Sequence, residues 1–280
     1  MAVHRHEFPL EEMARILGVS KQGFYKLQRR KISRRQIRWE TNALLIQILY
    51  EISGKTIGVR KIRRVLRRKF KIHLGHNQVW RLMKWLKIKS KRVKKFKVIT
   101  TNSNHNLPVS PNLLRFVGIP DAANRVWTSD ITYLRVGKSW LFLCVILDLY
   151  SRKIVGWALE DHMKTALVSS ALKMAITRRK PQGGLIFHSD RGSQYASIAL
   201  RDLLKNNNFI QSMSRKGNCW DNAWTESWFA TLKLELGEKF LSYDDAKNEI
   251  FQYIEAFYNR QRMHSALDYQ SPEEFEKSVA

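Results

Sequence analysis

Between residues 125 and 160, three runs rich in β-branched and aromatic residues follow one another with almost nothing between them. They read RVWTSDITYLRV, KSWLFLCVILDLYS and RKIVGWALE, with turn signals at Gly137-Lys138 and Tyr150-Ser151. Three consecutive strands joined by such short turns predict an antiparallel meander. The pattern then alternates. A helix is predicted at about 164–179, a short strand at GLIFHS, a helix at about 196–207 and a strand at FIQSMS. The segments WDNAWTESWFATLKLEL and DDAKNEIFQYIEAFYNRQR read as two further helices.

The order βββαβα(β)αα predicts an α/β fold of RNase H-like type: a mixed five-stranded sheet flanked by helices. In such a sheet strands one and four are neighbours. Asp130 lies in the middle of the first strand and Asp190 ends the fourth, so the two acids are expected side by side. A third acid should come from a helix packed over the sheet, and Glu226 follows Asp190 with 35 residues between them. At about 100° per residue, Asn222 and Lys233 fall within about 40° of Glu226. Trp220, Trp224 and Trp228 fall on the other side, where core packing is expected. Three converging carboxylates repel one another and need cations. An all-oxygen set suits Mg²⁺ or Mn²⁺, two ions being suited to phosphoryl transfer. Asp130, Asp190 and Glu226 are therefore the candidate catalytic and metal-binding residues.

Other residues compete for roles near this site. Asp148 ends the second strand and is expected to pair with Arg152 in the turn DLYSRK. Asp221 is expected to cap the Glu226 helix. His188, two before Asp190, faces the same way on an extended strand. It is expected either to touch DNA or a metal-bound water, or to be a satisfied core histidine. Cys144 and Cys219 form no C-x-x-C pair and read as reduced thiols of a cytoplasmic protein. No apolar run reaches membrane-spanning length, the N-terminus has no apolar signal region, and no Gly-rich Lys-Ser/Thr phosphate loop is present.

The remaining third of the chain differs in charge. Residues 1–100 hold 28 Lys+Arg against 5 Asp+Glu, a net of +23 out of the chain's +26. Concentrated positive charge favours polyanions, because binding releases counterions from phosphates. Residues 8–30 read as two short helices around a Gly-containing turn, with Ser20 as cap of the second, in the manner of a helix-turn-helix. Residues 41–97 repeat the helical pattern. GVRKIRRVLRRKF sets Val59, Ile62, Val65 and Leu66 against a very basic face. Val79, Leu82, Met83 and Leu86 make a further stripe. The candidate DNA contacts are Arg60, Lys61, Arg63, Arg64, Arg67 and Arg68 on that face. Lys91, Arg92, Lys94 and Lys95 join them in the basic run at 87–97. The predicted organisation is a helix-turn-helix-like segment at 1–40, a basic helical DNA-binding domain at 41–99, a linker rich in Asn, Ser and Pro at 100–124, and the catalytic α/β domain at 125–280.

The blocks WTSDIT, HSDRGSQY and GNCWDNAWTESWFATLKLE resemble the three signature blocks of DDE transposases with a retroviral-integrase-type core. The chain is most similar to the OrfB product of bacterial insertion sequences of the IS-three family. The similarity extends through LDLYSRKIVGWAL and YNRQRMHSALDYQSPEEF, and back through GVSKQGFYK and TIGVRKIRRVL, so it covers most of the chain. It implies that Asp130, Asp190 and Glu226 are the catalytic triad, and that Lys233 contacts donor DNA ends. It also implies DNA partners, the terminal inverted repeats and target DNA, engaged by a homo-oligomer, with an OrfA product or fused OrfA segment as a further partner. Location at the bacterial nucleoid follows. Retroviral integrases carry a His/His/Cys/Cys zinc module; no cysteine lies in the first 143 residues here, so no zinc is expected.

The expected activity is metal-dependent cleavage at element ends followed by strand transfer. Two alternatives share parts of the pattern: an RNase H-like structure-specific nuclease without strand transfer, and a non-catalytic DNA-binding regulator derived from a transposase.

Overall fold

The computed structural model describes residues 1–29, 31–91, 107–215 and 222–279. The N-terminal third is helical. α1 (Leu10–Ile16) and α2 (Lys21–Gln28) flank the Gly18 turn, and the Ser20 hydroxyl accepts the Gly23 N–H as an N-cap. α3 (Arg34–Ile52), α4 (Val59–Phe70) and α5 (His76–Trp85) follow. They share one core: Ile46, Ile62, Leu66 and Val79 are completely buried. The apolar stripes expected on α4 and α5 supply that core through Ile62, Val65, Leu66, Val79, Leu82 and Met83.

A short helix, α6 (Leu114–Val117), precedes the sheet. β1 (Val126–Val136), β2 (Ser139–Asp148) and β3 (Ile154–Glu160) form the antiparallel meander. α7 (Thr165–Arg179) crosses to β4 (Ile186–Ser189), which pairs parallel with β1. α8 (Ser193–Ala196) and α9 (Ile198–Asn206) lead to β5 (Ile210–Met213), parallel to β4. The strand order is β3-β2-β1-β4-β5. A sixth strand, β6 (Lys239–Phe240), was not expected; it pairs parallel with the end of β1, at Arg135 and Val136. Between β5 and β6 lies α10 (Ala223–Glu235). After β6 come α11 (Tyr243–Phe251), a π-helical continuation over Gln252–Tyr258, a 3₁₀ turn at Ser265–Leu267 and α12 (Pro272–Val279). Among the described residues no helix is long and apolar enough to cross a membrane.

The sheet is covered on both faces, which explains why its central strands read as unbroken apolar runs. On β2, Cys144 and Ile146 face the core beneath α7–α9, while Leu141, Leu143, Val145 and Leu147 face the core beneath α10 and α11. The contact of α7 with β3 requires Gly156. A Cβ there would lie 2.3 Å from the Ala171 carbonyl oxygen, so only glycine lets the helix come so close.

Candidate active site

The site starts from strand register. Val126, Trp127 and Thr128 pair with Ile186, Phe187 and His188, an offset of 60 residues. Continued two residues further, the same offset sets Asp130 level with Asp190 on adjacent strands, which lie about 4.8 Å apart. Each acid is held by a local backbone donor. Asp130 Oδ1 accepts the Ile131 N–H at 2.8 Å, and Asp190 Oδ1 accepts the Gly192 N–H at 2.9 Å.

Glu226 arrives from α10, whose first turn is pinned to β1. Thr225 Oγ1 lies 3.0 Å from Thr128 Oγ1 and 3.1 Å from Asn222 Oδ1, and Asn222 Nδ2 donates to the Ser129 carbonyl at 3.4 Å. The residue next to Glu226 is thereby fixed over the strand two positions before Asp130. Glu226 itself remains exposed, while both aspartates are half-buried.

The three acids sense one another. Burial, then the Asp190 charge, then Glu226 push the Asp130 carboxyl well above the usual carboxylate range, against the Ile131 hydrogen bond. Burial and then Asp190 raise Glu226. Beneath Asp130 lies a neutral polar layer that sequence reasoning missed. Ser129 Oγ is 3.0 Å from Tyr195 Oη and 3.6 Å from Cys144 Sγ. Burial pushes the Cys144 thiol up to about 12, so it is an inert member of the core. Small hydroxyls scattered along a sequence carry no spacing signal, which is why this layer was not legible.

Several expected contacts are replaced by others. Asp148 does not pair with the Arg152 side chain. It accepts N–H groups from Asn124, Tyr150 and Ser151 and the Trp127 indole, with Arg179 at 4.0 Å. Arg152 sits at φ 61, and its guanidinium lies over the Trp224 ring. His188 is fully buried between Ser212 and Ser214, with Nδ1 at 2.8 Å and Nε2 at 3.2 Å from their hydroxyls. It is a satisfied core histidine and offers nothing to DNA. Asn222 is likewise buried, and its polar atoms are taken up in anchoring α10. Asp221 and Trp220 lie outside the described residues. Asn222 occupies the cap position of α10 without a side-chain cap bond. Lys233 lies over the Tyr133 ring, 4.6 Å from its centroid, and 3.5 Å from Glu238.

The basic face of α4 divides in two. Arg60, Arg63, Arg67 and Arg68 are exposed. Arg64 pairs with Asp268, Arg68 donates to the Tyr269 carbonyl at 2.9 Å, and Lys61 lies beside Arg262. Three of the six expected DNA contacts on this helix therefore turn toward the C-terminal segment of the catalytic half. Lys91 is exposed; Arg92, Lys94 and Lys95 lie outside the described residues.

The donor set of Asp130, Asp190 and Glu226 is all oxygen, and the Asp190 charge disfavours the bare carboxylates of the other two. That chemistry fits a hard divalent cation. Among the described residues, the one group whose potential metal-ligand atoms all lie within 4.8 Å of one another is Glu160, Asp161 and His162, at the end of β3. The three site carboxylates stand further apart than that.

The integrase core domain family matches residues 120–219, a second integrase core family matches 208–272, and the HTH-like domain family matches 38–96. The chain is 42% identical over 265 residues to the 31 kDa protein of insertion element IS600 from Shigella sonnei, covering 94% of this chain and 97% of that one. It is 36% identical over 278 residues to transposase InsF of insertion sequence IS3A from Escherichia coli K12, covering 98% of this chain and 96% of that one. A chain of a simian T-cell lymphotropic virus intasome superimposes with a TM-score of 0.49 at 13% identity, covering 84% of this chain and 74% of that one. Full-length similarity at this level, with an integrase core behind an HTH-like domain, makes the chain a member of the IS3 family of insertion-sequence transposases, polynucleotidyl transferases by class.

Proposed function

We propose that Asp130, Asp190 and Glu226 are the catalytic carboxylates of this transposase and together hold Mg²⁺ or Mn²⁺, two ions per site. The observation that carries this reading is the register: a constant offset of 60 residues brings two acids level on neighbouring strands, where burial and then the Asp190 charge raise both Asp130 and Glu226. Such cations, when bound, screen the scissile phosphate and lower the pKa of an attacking water. The protein's part is positional. The strands fix Asp130 and Asp190. The Thr225 and Asn222 contacts fix the turn that presents Glu226, and an exposed Glu226 leaves the site open to a DNA backbone. The activity is cleavage at element ends to leave a 3′-hydroxyl, followed by attack of that hydroxyl on target DNA.

DNA binding divides along the chain. Residues 1–40 and 41–99 supply duplex affinity through the exposed Arg60, Arg63 and Arg67 and through the basic run in the sequence that holds Lys91, Arg92, Lys94 and Lys95. Residues 100–124 link them to the catalytic residues 125–280. Lys233, seven residues after Glu226 on the same helix face, meets a phosphate near the scissile bond. The chain works as a homo-oligomer on paired element ends, alongside an OrfA segment.

The test uses labelled element ends, target DNA and Mg²⁺. Asp130→Asn, Asp190→Asn and Glu226→Gln should each abolish cleavage and joining while the gel shift survives. Normal strand transfer by any one of them would remove that residue from the site. Cleavage without joining by the wild type would mark a nuclease, and a bare gel shift a regulator.

A further inference from the structure

The face of α10 opposite Glu226 borders a crevice of about 380 Å³ between α4 and the segment after the π-helical turn. Lys61 of α4, Arg152 of the β2–β3 turn, Trp224 and Trp228 of α10, and Arg262 and His264 all line it. We propose that this crevice is a binding site for a phosphate group, separate from the carboxylate site and divided from it by α10.

The donors there outnumber the acceptors. Arg262 is the only one of the three cations bound to an acid: its Nε lies 2.8 and 3.0 Å from the two Glu235 oxygens, and Tyr253 donates to the same carboxylate at 2.7 Å. Glu235 is thus fully engaged. Neither Lys61 nor Arg152 has a carboxylate partner among the described residues. Among the described residues the Arg152 guanidinium has the Trp224 ring against it and only the more distant Asp148 charge to favour it. Three positive groups lining one cavity repel one another. Burial, then Arg262, pushes the Lys61 ammonium down to about 8, with only Glu235 opposing. Burial followed by Arg262, Lys61 and Arg152 holds His264 neutral, down to about 2.

A neutral group adds an independent observation. Trp228 is 3% exposed, and its Nε1–H is buried without a hydrogen-bond partner. An unsatisfied buried donor is costly and rare. A cavity lined by two cations without a carboxylate partner, and by a tryptophan whose indole N–H lacks an acceptor, is suited to an acceptor-only anion with several oxygens, which is the chemistry of phosphate. The cations stand in place without it because other contacts hold the walls. Arg64 pairs with Asp268, and Met263 packs against the core of α3–α5.

The experiment measures binding of inorganic phosphate to the full chain by ³¹P NMR and by its effect on the melting midpoint, with chloride at matched ionic strength as reference. Wild type should bind phosphate saturably and melt higher in it than in chloride. Arg152→Gln and Lys61→Met should each weaken that binding by roughly 10-fold or more, the loss expected for one charged hydrogen bond. Lys138→Gln, which removes the same charge from an exposed turn, should bind as wild type does. Should Arg152→Gln fail to fold, Lys61→Met carries the comparison. Equal phosphate effects in all four proteins would mean non-specific neutralisation of a +26 chain and would overturn the proposal. Adding a short DNA duplex then identifies the source. Displacement of the bound phosphate signal assigns the crevice to a backbone phosphate of DNA; retention assigns it to a free phosphate ligand.

Discussion

Asp130 and Asp148 lie close together on paired strands, in surroundings that differ in kind. β1 and β2 place Asp148 opposite Trp127, three residues before Asp130. Asp148 is fully buried, and four N–H donors and the Arg179 guanidinium surround it. Burial raises its carboxyl, and those donors work against the rise. Asp130 has one backbone donor and two acids for neighbours. A structural aspartate ties a turn to a strand by satisfying its N–H groups. An aspartate set among acids carries repulsion in the protein alone, which the proposed cation would relieve.

The largest expected effect breaks the structural member of the pair. Asp148→Ala leaves three backbone N–H groups and an indole N–H without their acceptor, while Arg179 keeps its pair with Glu276. The cost should be about 3–5 kcal/mol, on the order of 10 °C in melting midpoint. A drop under about 2 °C would show that these donors find other partners. The same deletion in mirror image sharpens the contrast. Asp130→Asn should raise the stability of the metal-free protein at neutral pH, because a neutral amide escapes the burial and the Asp190 and Glu226 repulsion that act on the carboxylate.

The sign with pH follows from the direction of the shift. Asp130 is raised in the folded chain, so the native state holds that proton more tightly than the unfolded chain does. Stability from this group therefore grows as pH falls through the raised native value, and levels off below the ordinary value of 3.8. Denaturant midpoints across that window should show this gain in wild type and lack it in Asp130→Asn. An identical pH profile in the two proteins would contradict the assignment of the shift.

The smallest effect concerns Lys233, which has a ring and an exposed acid for company. Lys233→Ala should cost under about 1 kcal/mol of stability. It should lower the slope of log affinity against log salt for element-end DNA by about one unit. Unchanged affinity with a reduced melting point would make Lys233 a brace between α10 and β1.

Much of the fold was legible because the sheet is covered on both faces. The runs at 126–136, 139–148 and 154–160 are too apolar and too closely spaced for anything but neighbouring strands. The two-residue β6 carries no pattern of its own and exists only as a partner for the end of β1. The neighbouring positions of Asp130 and Asp190 were legible because strand order and chain separation suffice to align them. Depth was not. Alternation correctly gives the face of His188 but cannot say that Ser212 and Ser214 close over it. Nor can helical spacing tell which basic residues of α4 face solvent. Arg63 and Arg64 are adjacent in sequence, yet one is exposed and the other is bound to Asp268, more than 200 residues away. That pairing depends on how two folded parts meet, which local composition does not encode.

The most direct test of the shared carboxylate site is the magnesium dependence of melting. Wild type, Asp130→Asn, Asp190→Asn, Glu226→Gln and Lys233→Ala are melted without divalent ion and with Mg²⁺ at increasing concentration. Wild type and Lys233→Ala should gain stability, reaching about 2.7 kcal/mol when the ion is a hundredfold above its dissociation constant. Each acid variant should start at or above the wild-type midpoint without the ion and lose most of the gain with it. An Asp130→Asn protein that keeps the full magnesium shift would contradict a metal site built on that residue.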